Sequence, residues 1–147
     1  MTVRPFPPPS LRRLNKVVIG LQRLGLAVGT MHLLTVAGRK SGVARTTPVS
    51  PYDVNGKRYI VGGYGSSDWV KNARAAGEGV LSRGRHQERV RLVELPVEER
   101  GAILREFPAK VPHGVGMFMK TGSVDSATPQ GFEDAAPRCP VFRVEPL

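Results

Sequence analysis

Asn55-Gly56 lies between two runs of strand-forming residues and is the strongest short hairpin signal in the chain. Both residue types accept the positive φ of a two-residue turn, so the flanking runs should pair antiparallel. The run before it covers residues 45–54, and the return strand covers 57–62. Pro48 and Pro51 lie inside the first run. A proline has no N–H to give to a ladder, so this run belongs at a sheet edge or a bulge.

The same punctuation continues on both sides. Residues 31–37 read as a strand, broken by the glycines and cations of residues 38–42. Residues 63–67 form a Gly- and Ser-rich loop, and Ser67 or Asp68 caps a short helix over 69–76. Strands over 78–83 and 86–94 flank a turn at Gly84. Pro96 opens an amphipathic helix over 97–107. Residues 108–138, rich in Gly and Pro, read as irregular, and 141–144 read as a last strand. At the other end, residues 1–9 form an extended Pro-rich arm. An apolar stripe through Leu11, Leu14, Val18 and Leu21 predicts an amphipathic helix capped by Ser10. Strand–helix–strand crossovers do not recur. The pattern therefore predicts an α+β protein on an antiparallel sheet closed into a small barrel. A length of 147 residues suits one domain over 1–147, with residues 1–30 as its N-terminal arm and helix.

The net charge is +10, and its distribution is uneven. Residues 1–75 hold twelve basic and two acidic side chains, whereas residues 76–147 hold ten of each. Sixteen of the 22 cations are Arg, whose forked guanidinium suits phosphate and carboxylate. The N-terminal half therefore expects an anionic partner: a nucleic acid, a membrane surface or an anionic cofactor. Nucleic acid is disfavoured, because aromatics are 6% of the chain and no stacking platform or helix-turn-helix is visible. The only cysteine, Cys139, rules out an internal disulfide or dithiol pair, so redox chemistry would need a bound cofactor. His32, His86 and His113 show no metal-ligand spacing, and no metal is expected. The Pro-rich start is unlike a signal peptide, and the apolar stretch over 24–38 is too short to cross a bilayer. The expected location is cytoplasmic, with the N-terminal helix covering either a cofactor tail or an anionic membrane surface.

Two segments carry chemistry. In the first, Gly38, Arg39, Lys40, Ser41 and Gly42 form a turn between strands, followed by Arg45, Thr46, Thr47 and Pro48. Glycines let the backbone approach a ligand, successive N–H groups form an anion-binding nest, and the cations add fixed charge. The spacing is not that of a Walker A loop, and a strand follows rather than a helix. In the second, Ser66, Ser67, Asp68, Trp69 and Asn72 surround a helix start, where free N–H groups and hydroxyls meet a polar group of a flat ligand. Asp68 reads as a cap and Trp69 as either a core anchor or a ligand wall. Met117-Phe118-Met119 reads as core filling or the lining of an apolar pocket.

The succession Gly-Arg-Lys-Ser-Gly-x-x-Arg, Asn-Gly, Asp-Trp-x-x-Asn and Glu-Gly-Val-Leu resembles the deazaflavin-dependent nitroreductase family over residues 31–94. Pro140-Val141-Phe142-Arg143 is similar to that family's closing strand. The resemblance implies an antiparallel split β-barrel with flanking helices, related to FMN-binding oxidoreductases, and coenzyme F420 in preference to FMN. It places the cofactor phosphate at Arg39, Lys40, Ser41, Gly42 and Arg45. Thr46, Thr47 and Pro48 then run past the deazaflavin ring, and Ser66, Ser67, Trp69 and Asn72 lie near the ring or polyol. The cofactor's glutamate tail matches the N-terminal half, whose residues 1–52 hold no acidic side chain. The chain lacks the tyrosine-rich C-terminal segment of the best-known members, which bears on the substrate.

The expected activity is hydride transfer between reduced coenzyme F420 and an electron-poor acceptor: a quinone, enone, unsaturated lipid or nitroarene. Tyr64 or a nearby serine orients this small, lipophilic substrate or supplies a proton. The alternative is a protein that binds F420 or a related anion without turnover. Either a monomer or a homodimer satisfies the sequence.

Overall fold

The computed structural model of the protein describes residues 32–63 and 67–147. The strands are β1 (His32–Ala37), β2 (Ala44–Val49), β3 (Tyr52–Val54), β4 (Lys57–Val61), β5 (Glu78–Arg83), β6 (His86–Glu94) and β7 (Val141–Pro146). The helices are α1 (Asp68–Ala76), α2 (Val97–Leu104), α3 (Phe107–Lys110), α4 (Val115–Lys120) and α5 (Pro129–Asp134), with a 3-10 turn over Pro112–Gly114. Among the described residues the strands form one antiparallel sheet in the order β2-β1-β5-β6-β7-β4-β3. The N-terminal helix expected over residues 10–28, and its membrane or cofactor contact, lie outside the described residues. None of the described helices is long and apolar enough to cross a membrane.

The connection between β2 and β3 dictates the shape of this sheet. The two strands sit at its opposite edges, yet only Ser50 and Pro51 separate them. In a flat sheet, edges six strand spacings apart would be roughly 29 Å from one another. Three peptide steps reach about 11 Å at most. The sheet is therefore curled into an open barrel, as expected, with its two edges brought together at one corner.

That corner also corrects the reading of residues 45–54 as one strand. The run is split at Ser50-Pro51, and its two halves pair with different neighbours, β2 with β1 and β3 with β4. Both are edge strands, as Pro48 within β2 requires of that strand, and Pro51 lies in the link between them. The Asn55-Gly56 hairpin is present, with φ of 52° and 79° at its two residues.

The remaining elements follow the sequence more loosely. The helix expected over 97–107 ends at Leu104, and residues 108–138 hold short helices where irregular chain was expected. These pieces are too short to be stable alone. They are held by packing. The Phe107 ring lies 4.9 Å from Phe118 and 5.1 Å from Phe132, centroid to centroid. Tyr52 donates a 2.8 Å hydrogen bond to the Ile103 carbonyl, tying β3 to α2. Cys139 is buried in this layer as a small apolar residue, and burial pushes its thiol up to about 11.

A second apolar cluster fills the inside of the curl, with Leu34, Ile60, Leu81, Val90 and Phe142 at its centre. Val70 and Ala73 of α1 close it. The helix comes this near because Gly62 has no side chain: a Cβ there would lie 2.9 Å from Val70 Cγ2 and 3.1 Å from the Trp69 ring. Gly62→Ala is therefore expected to push α1 outward and to cost about 1–3 kcal/mol of stability in urea unfolding, with a shift in Trp69 emission.

The two clusters are joined by a charge network. Glu94, at the end of β6, receives hydrogen bonds of 2.7 Å from both Nε and Nη2 of Arg74 on α1. It also receives one of 3.2 Å from Arg100 on α2. Arg100 is buried and donates further to the carbonyls of Leu95 and Ala136. The Arg74 hydrogen bonds, helped by the charges of Arg74 and Arg100 and opposed by partial burial, hold the Glu94 carboxyl below its ordinary value of 4.5. A carboxyl with a lowered folded pKa stabilises the fold above its unfolded pKa and loses that contribution as pH falls through the folded value. Glu94→Gln should thus be less stable than wild type at pH 7. The gap should close as the pH drops below 4.5, followed by thermal unfolding across a pH series.

Candidate functional site

The turn after β1 is built by two glycines with different tasks. Gly42 takes φ of 74°, and its N–H donates to the Gly38 carbonyl at 2.8 Å. Gly38 donates to the Val43 carbonyl at 2.8 Å, and a Cβ on Gly38 would sit 3.0 Å from that same oxygen. Ser41 Oγ accepts from the Val43 N–H at 3.2 Å. With these bonds made, the N–H groups of Lys40 and Ser41 have no hydrogen-bond partner among the described residues. These two successive N–H groups are the ones that the sequence pattern offers as an anion-binding nest.

The three cations of this segment divide into two kinds. Asn72 Oδ1 accepts from the Arg39 backbone N–H at 3.1 Å and from Arg39 Nη1 at 2.8 Å. Arg39 Nη2 also lies 3.4 Å from the Asp68 carboxylate. Arg39 is thus a clamp between the turn and the first two turns of α1, and its side chain is only 27% exposed. Lys40 and Arg45, in contrast, are exposed and have no ion-pair partner among the described residues. Val36 and Arg45 are paired across β1 and β2, so Arg45 projects on the same face as Val36.

A cavity of about 600 Å³ opens between this turn and the start of α1. Among the residues expected at the site, Arg39, Lys40, Ser41, Arg45, Thr46, Thr47, Trp69 and Asn72 all line it. Gly42 shapes the turn without lining the cavity. Asp68, read from sequence as a cap, contributes an exposed carboxylate to the wall, and Leu34 and Val36 form an apolar floor. The Asn72 side chain is buried, with its oxygen engaged by Arg39. The Ser67 side chain makes no capping bond to α1.

A second cavity of about 340 Å³ adjoins the first, and Trp69 belongs to both walls. Pro48 and Ser67 face this second space rather than the first. Its other walls are largely apolar and come from the segment after α2: Phe107, Val111, Met117 and Phe118, with His113 at its rim. Of these, Met117 and Phe118 were legible as pocket candidates, and Met117 is 70% exposed. His113 carried no signal beyond its lack of metal spacing. Tyr64 and Ser66, also expected at the site, lie outside the described residues. No metal-binding cluster of His, Cys, Asp or Glu occurs among the described residues.

The first cavity is thus a polar, cationic cleft beside the β1–β2 turn of a curled antiparallel sheet. The sequence profile of the F420H2-dependent quinone reductases matches residues 11–122, and the chain belongs to that family. It is therefore an oxidoreductase that uses coenzyme F420, which decides between turnover and simple binding in favour of the enzyme. Solved structures share the fold. An F420-H2 dependent reductase, FDR-A, is 24% identical over 79% of this chain and 94% of its own, with a TM-score of 0.52. A protein described as a domain-swapped dimer is 22% identical over 90% of this chain and 99% of its own, with a TM-score of 0.53. PhzG from Burkholderia lata 383, in complex with tetrahydrophenazine-1-carboxylic acid, is 14% identical over 96% and 78%, with a TM-score of 0.51. No curated protein matches the sequence.

The clamp has a measurable role. Asn72→Ala leaves the Arg39 N–H and guanidinium without their shared acceptor in a half-buried place. It is expected to cost about 1–3 kcal/mol in denaturant unfolding and to alter the emission of Trp69, three residues away on α1.

Proposed function

We propose that the enzyme reduces quinones and related electron-poor carbonyl compounds, holding its cofactor in the cationic cavity and its acceptor in the apolar one. The observation that carries this reading is the pair of cavities of opposite character that meet at a single indole. The residues fit coenzyme F420. Unpartnered N–H groups and two uncommitted cations suit a phosphate and carboxylate tail, and the floor of Leu34 and Val36 suits a ring. When bound in its reduced form, the coenzyme supplies two electrons and a proton together as hydride.

The chain's own residues bind, orient and exclude water. Lys40 and the nest take the phosphate, and Arg45 reaches it from β2. Arg39 acts indirectly, by holding the turn against α1 so that the donors are already in place. Thr47 and Trp69 bound the ring, and Pro48, on the far side of Trp69, faces the acceptor. The apolar walls of the second cavity favour a hydrophobic acceptor and keep water from the reacting atoms.

Lys40→Ala and Arg45→Ala should each weaken F420 binding about tenfold or somewhat more, since a charge-assisted hydrogen bond contributes roughly 1.5–3 kcal/mol. Fluorescence titration measures this, and added salt should narrow the gap between wild type and variant. F420 should also bind more tightly than FMN, which lacks the glutamate carboxylates. Unchanged affinity in both variants, with the fold intact by circular dichroism, would place the phosphate elsewhere.

A further inference from the structure

We propose that His113, steadied by Ser50, is the group that recognises the oxygen of a carbonyl acceptor in the apolar cavity and gives it a proton. This rests on the assignment of that cavity to the acceptor. Three observations lead to it. First, the wall of the cavity is apolar except for a few hydroxyls and His113, and among the described lining residues His113 carries the only imidazole and none carries a carboxylate or an amine. Second, His113 Nε2 lies 3.5 Å from Ser50 Oγ, at the outer limit of a hydrogen bond, with the two groups on opposite elements of the rim. Third, the backbone that carries His113 is fixed. Val111 is fully buried, and a Cβ on Gly114 would lie 2.9 Å from the Phe107 ring, so the 3-10 turn lies directly on the apolar core.

The chemistry gives this placement a purpose. Reduction of a quinone takes two electrons and two protons. Hydride brings both electrons and one proton, which leaves a hydroquinone anion. An uncompensated anion in an apolar cavity is costly. The imidazolium of His113 gives its proton to that oxygen, which forms the O–H bond and leaves a neutral imidazole. His113 is exposed and regains a proton from water. The Ser50 hydroxyl, on the link between β2 and β3, holds the ring at the mouth. An enone is served in the same way through its enolate oxygen.

The test uses the F420-loaded enzyme with menadione as acceptor, comparing wild type, His113→Ala, Ser50→Ala and Tyr64→Phe. Tyr64→Phe is included because the sequence names Tyr64 as the other proton source. His113→Ala should lower kcat by about a hundredfold, in the usual range for a lost general acid, with F420 affinity unchanged. Menadione should still quench Trp69 fluorescence in that variant, and added imidazole should restore turnover at least in part. Ser50→Ala should give a smaller loss. The proposal is overturned if His113→Ala turns over like wild type, if its loss is indifferent to imidazole, or if the loss appears only in Tyr64→Phe. These results leave F420 binding and wild-type turnover intact, so they spare the assignment of the cavities. Absence of F420 binding or menadione turnover in the wild type would instead overturn that assignment and this one together.

Discussion

Two residues, Ser50 and Pro51, join the opposite edges of the sheet, and most of the architecture follows from that short reach. A link so short forces the sheet to curl. The curl gives the sheet an inside, which the apolar residues of β1, β4, β5, β6 and β7 fill. It leaves a gap that α1 covers, and the helix covers it closely only because Gly62 yields room for Val70 and Trp69. The outer face near β3 and β4 remains apolar and is covered by the short helices that follow α2. Both cavities lie along the seams of this construction, one beside the β1–β2 turn and the other beside the edge-to-edge link.

Within that frame the cationic segment is divided by function in a way that charge alone does not reveal. An arginine has a planar fork and an always-charged head, so it suits a fixed bridge to an amide oxygen and a carboxylate at once. Arg39 has that task. Lys40 and Arg45 are exposed and, in the proposed function, are the charges that attract the cofactor's anionic tail. Preorganisation and attraction thus reside on different side chains, and their loss should be felt differently, the first in the fold and the second in affinity alone.

The legibility of the sequence follows the range of the interactions involved. The turn over 38–42 was readable because its glycines, cations and hydroxyl are adjacent, and so was the Asn55-Gly56 hairpin. The strand positions were close because alternation and turn residues are local signals. The order of strands was not readable, since β2 and β3 look like one run until the sheet closes. The clamp was hidden because Arg39 and Asn72 are 33 residues apart and meet only through the fold. The second cavity was hidden for a related reason. Its walls come in large part from helices of four and six residues, whose stability lies in the contacts among Phe107, Phe118 and Phe132, not in any helical period.

The carboxylate of Glu94 has a consequence for how the molecule comes apart. It is shared by Arg74 from the helix that seals the inner core and by Arg100 from the helix that opens the outer one. An intermediate with only one layer intact would leave that carboxylate with one of its two guanidinium partners. Each layer is therefore somewhat more stable with the other in place, by the modest amount that a partly exposed ion pair contributes.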